Sequence, residues 1–201
     1  MTLFPNYHRA PVTFSSAKNA TWFDDKNQSY SDLSSGIGVY NVGANNPKVV
    51  HALTQQAEKI WHIPNLYSNP LQEAVAQKIG GDTYTAYFAN SGAESNEAAI
   101  KLARLATKKQ TIISFSNSFH GRTYAAMAAT GQDSIHAGLP MLSGFSYAIF
   151  NDINSVKALI TEDVAAIMLE LVQGEGGVVP AKPEFIQALV KLAHDNNILI
   201  I

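Results

Sequence analysis

The chain has 201 residues, of which 46% are hydrophobic and 15% are charged, and its formal net charge is −2. A chain of this length and composition can bury a substantial core, so intrinsic disorder is not expected. The charged fraction is well below the usual quarter, which predicts that other subunits or further chain cover part of the surface. No basic cluster is longer than Lys108-Lys109, which argues against nucleic acid and membrane surfaces as partners.

The chain contains no cysteine, which excludes disulfides, thiolate metal sites and a cysteine nucleophile and fits a reducing compartment. Pro5, Asn6, His8 and Arg9 interrupt the stretch where a signal peptide needs apolar residues. We therefore expect a soluble cytoplasmic protein. The six histidines are scattered, which gives metal-dependent hydrolysis little support.

The first predicted elements are a hairpin and two capped helices. The hairpin covers residues 20–33, turns at Asp25-Lys26-Asn27 and leads into a loop broken by three glycines. Asn46-Pro47 predicts the start of a helix of about fourteen residues, because Asn is a favoured cap and Pro a favoured first residue. Asn69-Pro70 predicts a second helix, which stops at Gly80-Gly81.

Strands and helices alternate in the remainder of the chain. Strands are predicted at residues 84–88, 111–115, 147–150, 165–169 and 198–201. Helices are predicted at residues 94–106, 123–129, 153–160 and 184–194. This alternation predicts an α/β fold, a mostly parallel sheet with helices on both faces. In such sheets, ligands bind at the carboxyl ends of the strands.

The last predicted strand, residues 198–201, is expected to be buried in the centre of the sheet. The sequence stops on Ile201 without a turn, a polar cap or a closing helix. Because domains rarely end inside a sheet, we expect this chain to be a truncated form, incomplete at its C-terminus.

The first of three candidate functional loops is Asn90-Ser91-Gly92-Ala93-Glu94. It joins a predicted strand to a predicted helix, so unpaired N–H groups and the positive end of the helix dipole would face the ligand edge. This favours an anion site, with phosphate as the expected anion. The alternative is an ordinary helix start capped by Ser91 or Ser95. A Walker loop is excluded, because no Gly-Lys-Ser or Gly-Lys-Thr is present.

The second loop, Phe119-His120-Gly121-Arg122-Thr123, follows a predicted strand. An Arg fork suits a carboxylate and a Phe face suits a flat ring. The alternative is a core Phe beside a surface Arg. His120 by itself is more typical of a structural histidine than of a catalyst.

The third loop contains Glu170, Glu175 and three glycines, and it ends before Pro180. Two carboxylates in such a loop indicate an active site, although tight turns also use glycine. A nicotinamide fingerprint fits poorly, because the last glycine is missing and no helix follows directly.

In this order and spacing, the three motifs closely resemble those of the class III pyridoxal-phosphate-dependent aminotransferases, within them the group that acts on N2-acetylornithine. The matching segments are Tyr87-Phe88-Ala89-Asn90-Ser91-Gly92-Ala93-Glu94 with Asn96-Glu97-Ala98 and Lys101-Leu102-Ala103-Arg104, then Phe119-His120-Gly121-Arg122-Thr123, then Gln173-Gly174-Glu175-Gly176-Gly177. The resemblance covers nearly the whole chain. It implies the fold type I large domain for residues 46–201 and an arm of the small domain for residues 1–45.

The resemblance also assigns roles to individual residues. Those it places at pyridoxal 5′-phosphate are Ser91, Gly92, Ala93, Phe119 and His120. Gly92 and Ala93 would supply N–H groups to the phosphate, and Phe119 would stack on the ring. Arg122 would hold the substrate carboxylate, and Glu175 would face the substrate and pair with a downstream arginine. Glu170 would be structural or near the cofactor.

Two departures from the family pattern stand out. Gly43-Ala44-Asn45-Asn46-Pro47 occupies the place of the usual Gly-His-x-His-Pro, so that histidine chemistry is missing. The family's Asp-Glu-Val-Gln motif, whose Asp pairs with the pyridinium nitrogen, and its Schiff-base lysine are expected after Ile201. We therefore expect no catalytic residue within this chain, and no transamination by the chain alone.

The resemblance implies transfer of the terminal amino group of N2-acetylornithine to 2-oxoglutarate in arginine biosynthesis, by a homodimer. The alternatives are an ornithine, succinylornithine or 4-aminobutyrate aminotransferase, or a non-catalytic phosphate-binding module.

Overall fold

The computed structural model describes residues 2–201, which divide into a unit up to Leu71 and a unit from Gln72 onward. The first unit contains β1 (Phe14–Lys18), β2 (Thr21–Asp24), β3 (Ser29–Ser31), α1 (Ser35–Gly38) and α2 (Pro47–Ala57). Its three strands form one antiparallel sheet in chain order. The predicted hairpin is therefore confirmed as β2 and β3, and β1 extends it beyond the prediction.

The turn of the hairpin is held by the buried carboxylate of Asp24. Its Oδ1 accepts hydrogen bonds from the N–H groups of Lys26 and Gln28, at 2.9 and 2.8 Å. Asn27 takes the left-handed conformation (φ 65°), which Asn tolerates better than most residues. The glycine-broken loop that follows differs from the prediction, because the residues of α1 form a short left-handed turn in place of an open loop.

The two helices predicted at Asn-Pro pairs are confirmed as α2 and α3 (Pro70–Gly80). Oδ1 of Asn46 accepts from the Lys48 N–H at 3.0 Å, and Oδ1 of Asn69 accepts from the Leu71 N–H at 3.1 Å. Each Asn thus satisfies one of the N–H groups that a helix start leaves unpaired.

The second unit continues in chain order from α3. Its elements are α4 (Gly92–Thr107), β4 (Thr111–Phe115), α5 (Tyr124–Ala129), α6 (Asp133–His136), β5 (Phe145–Ala148), α7 (Ile153–Lys157), β6 (Val164–Ile167), β7 (Val172–Gln173), β8 (Val179–Pro180), α8 (Pro183–Asp195) and β9 (Leu199–Ile200). The order β5-β4-β6-β9 forms one sheet, and every pairing in it is parallel. The predicted fold class is therefore confirmed.

Buried side chains pack on both faces of this sheet. Ile113 and Phe115 of β4 pack with Phe185 and Leu189 of α8 in one cluster. Ile112, the neighbour of Ile113 on the same strand, belongs to a second cluster with residues of α4 and α5. Because successive strand residues point to opposite faces, a run of buried residues on β4 requires helices on both sides.

Three sequence predictions differ from the structure. Residues 84–88 are not a strand, because they have no ladder partner among residues 2–201, and Tyr84 and Tyr87 are about three-quarters exposed. Strand β5 lies two residues earlier than predicted. Strand β9 lies at the edge of the sheet and pairs only with β6, so Leu199 and Ile200 are 42% and 44% exposed where a central strand would be buried.

No helix among residues 2–201 is both long and apolar enough to cross a membrane.

Gly131 provides a test of the close packing behind β4. A Cβ at this position would collide with the carbonyl oxygen of Phe115, whereas a Cβ at Gly174 would meet open space. We expect Gly131→Ala to lower the free energy of unfolding by about 1–3 kcal/mol, because the backbone must move apart. Urea unfolding measures the change, and Gly174→Ala serves as the matched control. Equal stability of the two variants would contradict the packing described.

Candidate functional site

The three loops singled out in the sequence are neighbours at the carboxyl edge of the parallel sheet. We call them the α4-start loop (residues 90–93), the β4 loop (residues 116–123) and the β6 loop (residues 168–177). Strands β4 and β6 are directly paired and run in the same direction, so the loops that follow them leave from the same edge. In sheets of this kind, ligands bind at this edge.

The α4-start loop is built as a capped helix N-terminus. Ser91 is the N-cap, and its Oγ accepts from the Glu94 N–H at 3.2 Å. The Glu94 carboxylate turns back to accept from the Asn90 N–H at 2.6 Å. The N–H groups of Gly92 and Ala93 have no acceptor among residues 2–201, and they lie at the positive end of a sixteen-residue helix.

Gly121 brings the β4 loop against the start of α4. Its φ is +132°, and a Cβ built on it would lie 2.7 Å from the Cβ of Ala93 and 3.1 Å from that of Ala126. Only glycine permits this approach without displacement. A second link lies nearby, where Asn96 Nδ2 donates to the His120 carbonyl at 2.6 Å. The two loops that carry the candidate phosphate and ring contacts are thus locked together.

His120 supports the β4 loop from inside the protein. Its side chain is 5% exposed, and its Nε2 lies 3.1 Å from Oγ of Ser114, which is fully buried on β4. The backbone N–H of His120 donates to Oγ1 of Thr130 at 2.9 Å. Burial lowers the pKa of His120 from 6.5 to about 4, so the imidazole is neutral at physiological pH. These contacts fit the structural role that the sequence favoured over catalysis.

Glu97 caps α5 from the neighbouring helix α4. Thr123, the N-cap of α5, makes no side-chain capping bond of its own. Instead, Oε1 of Glu97 accepts from the N–H groups of Ala125 and Ala126 at 2.8 and 3.2 Å. Burial raises the pKa of Glu97, but these hydrogen bonds, with those from Thr123 and the charge of Lys101, leave it below its ordinary value. The carboxylate therefore stays ionised and fixes α5 relative to α4.

The β6 loop is joined to the β4 loop at three points. Glu170 Oε1 accepts from the Phe119 N–H at 2.8 Å. Gln173 is buried, and its Nε2 donates to the Ser116 carbonyl at 3.0 Å. A Cβ at Gly176 would lie 2.8 Å from the carbonyl oxygen of Asn117, so glycine is required where the loops touch.

The remaining candidate residues line the outer surface of this assembly. Phe119 is half-buried, and Arg122 is exposed just before α5. Glu175 is exposed in the turn between β7 and β8, where it lines a polar cleft of about 450 Å³. Phe119 and Arg122 are not part of the lining of that cleft, so the structure groups Glu175 with Ser116 and Asn117 and not with them.

Sequence reasoning assigned no role to several of the residues that hold the loops in place. Ser114, Thr130 and Gln173 are buried polar residues whose partners are distant in sequence. Glu97 carried a weak signal, because it is a carboxylate on the half-buried part of an amphipathic helix. The third loop was expected to be either an active-site loop or a tight turn, and it is a hairpin turn between β7 and β8 whose Glu175 faces a cleft.

Comparisons with known proteins agree with this architecture. Residues 3–201 match the family described as Aminotransferase class-III. An acetylornithine aminotransferase from Streptococcus mutans is 56% identical over 201 residues, which are 99% of this chain and 53% of that protein. The chain thus spans about half the length of this relative.

Two solved structures are similar over nearly the whole chain. The ornithine aminotransferase from Toxoplasma gondii superposes with a TM-score of 0.90 at 28% identity, over 99% of this chain and 50% of that one. The N-acetylornithine aminotransferase from Stenotrophomonas maltophilia gives a TM-score of 0.78 at 35% identity, over 96% of this chain and 50% of that one.

The burial of His120 predicts a specific loss of stability in mild acid. In the unfolded chain an imidazole has its ordinary pKa of 6.5, whereas in the folded chain the value is about 4. Above pH 6.5, the contribution of the buried, neutral His120 ring to the free energy of unfolding is fully present. It falls as the pH drops from 6.5 to 4, by about 3 kcal/mol in all, because only the unfolded state takes up the proton.

Urea unfolding of the chain at pH 7.5 and pH 4.5 measures this loss. His120→Gln is expected to reduce the difference in the free energy of unfolding between the two pH values. His194→Gln, which changes an exposed ring on α8, is expected to leave that difference unchanged. A His120→Gln variant with the full pH dependence of the wild type would contradict the assignment.

Proposed function

Because the chain belongs to the class III aminotransferases, we propose that it is the part of such an enzyme that holds the phosphate and the ring of pyridoxal 5′-phosphate. Enzymes of this class depend on that cofactor. The resemblance read from the three loop motifs is thereby confirmed at the level of the family. The roles of the individual residues are part of the proposal.

The observation that carries the proposal is the pair of unpartnered N–H groups at the start of α4. A phosphate needs several donors and favours the positive end of a helix. Gly92 and Ala93 offer two N–H groups at that end, and the exposed Ser91 stands beside them. The residues present therefore fit the phosphate of the cofactor.

Phe119 fits the ring of the same group. It follows β4 at the carboxyl edge, its side chain is half-exposed, and its backbone is fixed by Glu170 on one side and by His120 on the other. An aromatic face held in this way can stack on a flat ring. His120 takes part indirectly, by supporting the loop from beneath.

When bound, pyridoxal 5′-phosphate supplies an electron sink for bonds to the substrate's α- or terminal carbon. The residues of this chain orient the cofactor and recognise the substrate. We propose that the Arg122 guanidinium binds a substrate carboxylate through its planar fork of donors. Glu175, at the polar cleft, would approach the substrate from the other loop.

We further propose that the whole enzyme transfers the terminal amino group of N2-acetylornithine to 2-oxoglutarate, in arginine biosynthesis. The support is the identity of 43–56% to several acetylornithine aminotransferases over at least 99% of this chain. A cytoplasmic homodimer, with residues 1–45 in a small domain and residues 46–201 in a large one, completes the proposal.

Ornithine is the second candidate substrate, because the backbone superposes so well on an ornithine aminotransferase. A comparison of rates with N2-acetylornithine and free ornithine, in a full-length form that contains this chain, separates the two. A preference for free ornithine would overturn our first choice.

The phosphate contact can be tested by removing one N–H group without changing the helix. Proline is favoured at the first helical position, and Ser91 already has the extended backbone (φ −153°, ψ 160°) that a following proline requires. We expect Gly92→Pro to weaken binding of pyridoxal 5′-phosphate by about tenfold or more, because a hydrogen bond to a charged group is lost. Calorimetric titration of the purified chain measures the affinity.

Gly92→Ala is the matched control, because it adds a Cβ into open space and retains the N–H. Its affinity should equal that of the wild type, and binding of pyridoxal, which lacks the phosphate, should be the same in all three proteins. Equal affinity of Gly92→Pro and Gly92→Ala for the phosphate ester would refute the contact.

We also propose that this chain alone contains no lysine that holds the cofactor covalently. Lys48, Lys101 and Lys182 are exposed on or beside helices, and no lysine lines the polar cleft at Glu175. We expect no stoichiometric adduct after incubation with pyridoxal 5′-phosphate and borohydride, as measured by intact mass and peptide mapping. A single fully modified lysine, or sustained transamination by the purified chain, would show that the proposal is wrong.

A further inference from the structure

Glu170 follows strand β6, which lies between β4 and β9. It is the first residue after the last backbone hydrogen bonds that join this part of the chain to the sheet. The Met168 N–H donates to the Ile113 carbonyl at 2.8 Å, and the Leu169 N–H donates to the Ile201 carbonyl at 3.0 Å. These bonds tie the backbone just before Glu170 to strands on both sides. The side chain therefore projects from one of the best-anchored points of the carboxyl edge.

The two carboxylate oxygens of Glu170 bind two different loops. Oε1 accepts from the Phe119 N–H of the β4 loop at 2.8 Å, and Oε2 accepts from the Gly174 N–H of the β6 loop at 3.2 Å. Phe119 is the proposed ring contact, and Gly174 immediately precedes Glu175. One half-buried carboxylate thus bonds directly to the backbone beside both groups.

We propose that Glu170 is a positioning residue that couples the placement of Phe119 to that of the Glu175 turn. The coupling follows from the geometry, and its consequence for ligands rests on the proposed function. A displacement of either loop breaks one charge-assisted hydrogen bond, the part-buried one to Phe119 or the exposed one to Gly174. The cofactor-ring side and the substrate side of the site are therefore held in a fixed relation by one residue.

The other contacts between these loops cannot replace Glu170. Gln173 bonds to Ser116, and Gly176 packs against Asn117, so both hold the beginning of the β4 loop. Neither reaches the Phe119 N–H. A carboxylate is also needed chemically, because a glutamine has one acceptor oxygen and an amide group that only donates.

Hydrogen exchange of the purified chain without ligand tests the coupling. We expect Glu170→Ala, which removes both acceptor oxygens, to speed exchange of the Phe119 and Gly174 amides together, by about tenfold or more, while the β4 and β6 ladders keep their protection. Glu170→Gln, which keeps one acceptor oxygen, should speed exchange of at least one of them. Glu162→Gln, at an exposed position before β6, is the matched control and should change neither amide. Glu170→Asp, which keeps the charge but is one methylene shorter, should release at least one of the two amides.

In Glu170→Ala, a faster exchange at Gly174 alone would mean that Glu170 only closes its own loop, and it would overturn the proposal. Unchanged exchange at both amides would overturn it equally. General loss of protection in Glu170→Ala would indicate unfolding, and then the more conservative Glu170→Asp decides by the same two amides.

The consequence for the site is tested with pyridoxal 5′-phosphate as the probe. We expect Glu170→Gln to bind it about tenfold more weakly than Glu162→Gln does, with a smaller visible circular-dichroism signal per bound molecule, because the ring is less firmly oriented. Released amides with unchanged affinity and signal would overturn the positioning role. If the wild-type chain does not bind the probe, the proposed function fails, and the exchange result alone decides the coupling.

Discussion

The parallel pairing of β4 with β6 is the constraint on which the rest of this structure depends. The two strands lie in the middle of the described sheet, and their residues are almost all buried. Parallel neighbours send the chain out at the same edge, so the segments that follow them are adjacent although about fifty residues separate them in sequence. Every contact between the second and third motifs, from Glu170 to Gly176, exists because of that shared direction.

Buried polar groups hold the motifs in place, and glycines, which lack a side chain, let them approach one another closely. Ser114 and Thr130 bind His120 beneath the β4 loop, Gln173 binds the Ser116 carbonyl, and Gly121 lets the loop rest on Ala93. Ser114, Thr130, Gln173 and Gly121 were not expected to contact a cofactor. Their contribution is to remove alternative positions of the loops, which is the preorganisation that a binding site built on loops requires.

Much of this fold could be predicted from local sequence signals. Helices α2 and α3 were marked by Asn-Pro pairs, and β4 and α4 belong to the predicted alternation of strands and helices. One failure has a clear physical cause. Residues 84–88 are apolar enough for a strand, but a strand forms only where a neighbour pairs with it, and local sequence contains no information about that neighbour. Strand β9 does have such a neighbour in β6, and its other edge has no partner among residues 2–201.

The site shows the same division between local and distant signals. Ser91, Gly92 and Phe119 could be proposed as candidates because each belongs to a compact motif after a strand or before a helix. Glu97 and Gln173 act on partners 28 and 57 residues away, so no spacing rule points to them. Glu170 was noticed as a carboxylate in a loop, yet its two backbone partners became visible only in three dimensions.

The N–H donors at the start of α4 belong to the main chain, and this affects how such a site changes during evolution. The side chain at position 92 can vary without altering the donors, because a Cβ there would meet open space, as long as the helix begins at the same residue. Position 121 has no such freedom, since any side chain there would press on Ala93 and move the helix start. At the proposed phosphate site, position 121 is thus constrained through its packing on Ala93 and not through a proposed contact with the ligand, and searches that rank positions by ligand contact would overlook it.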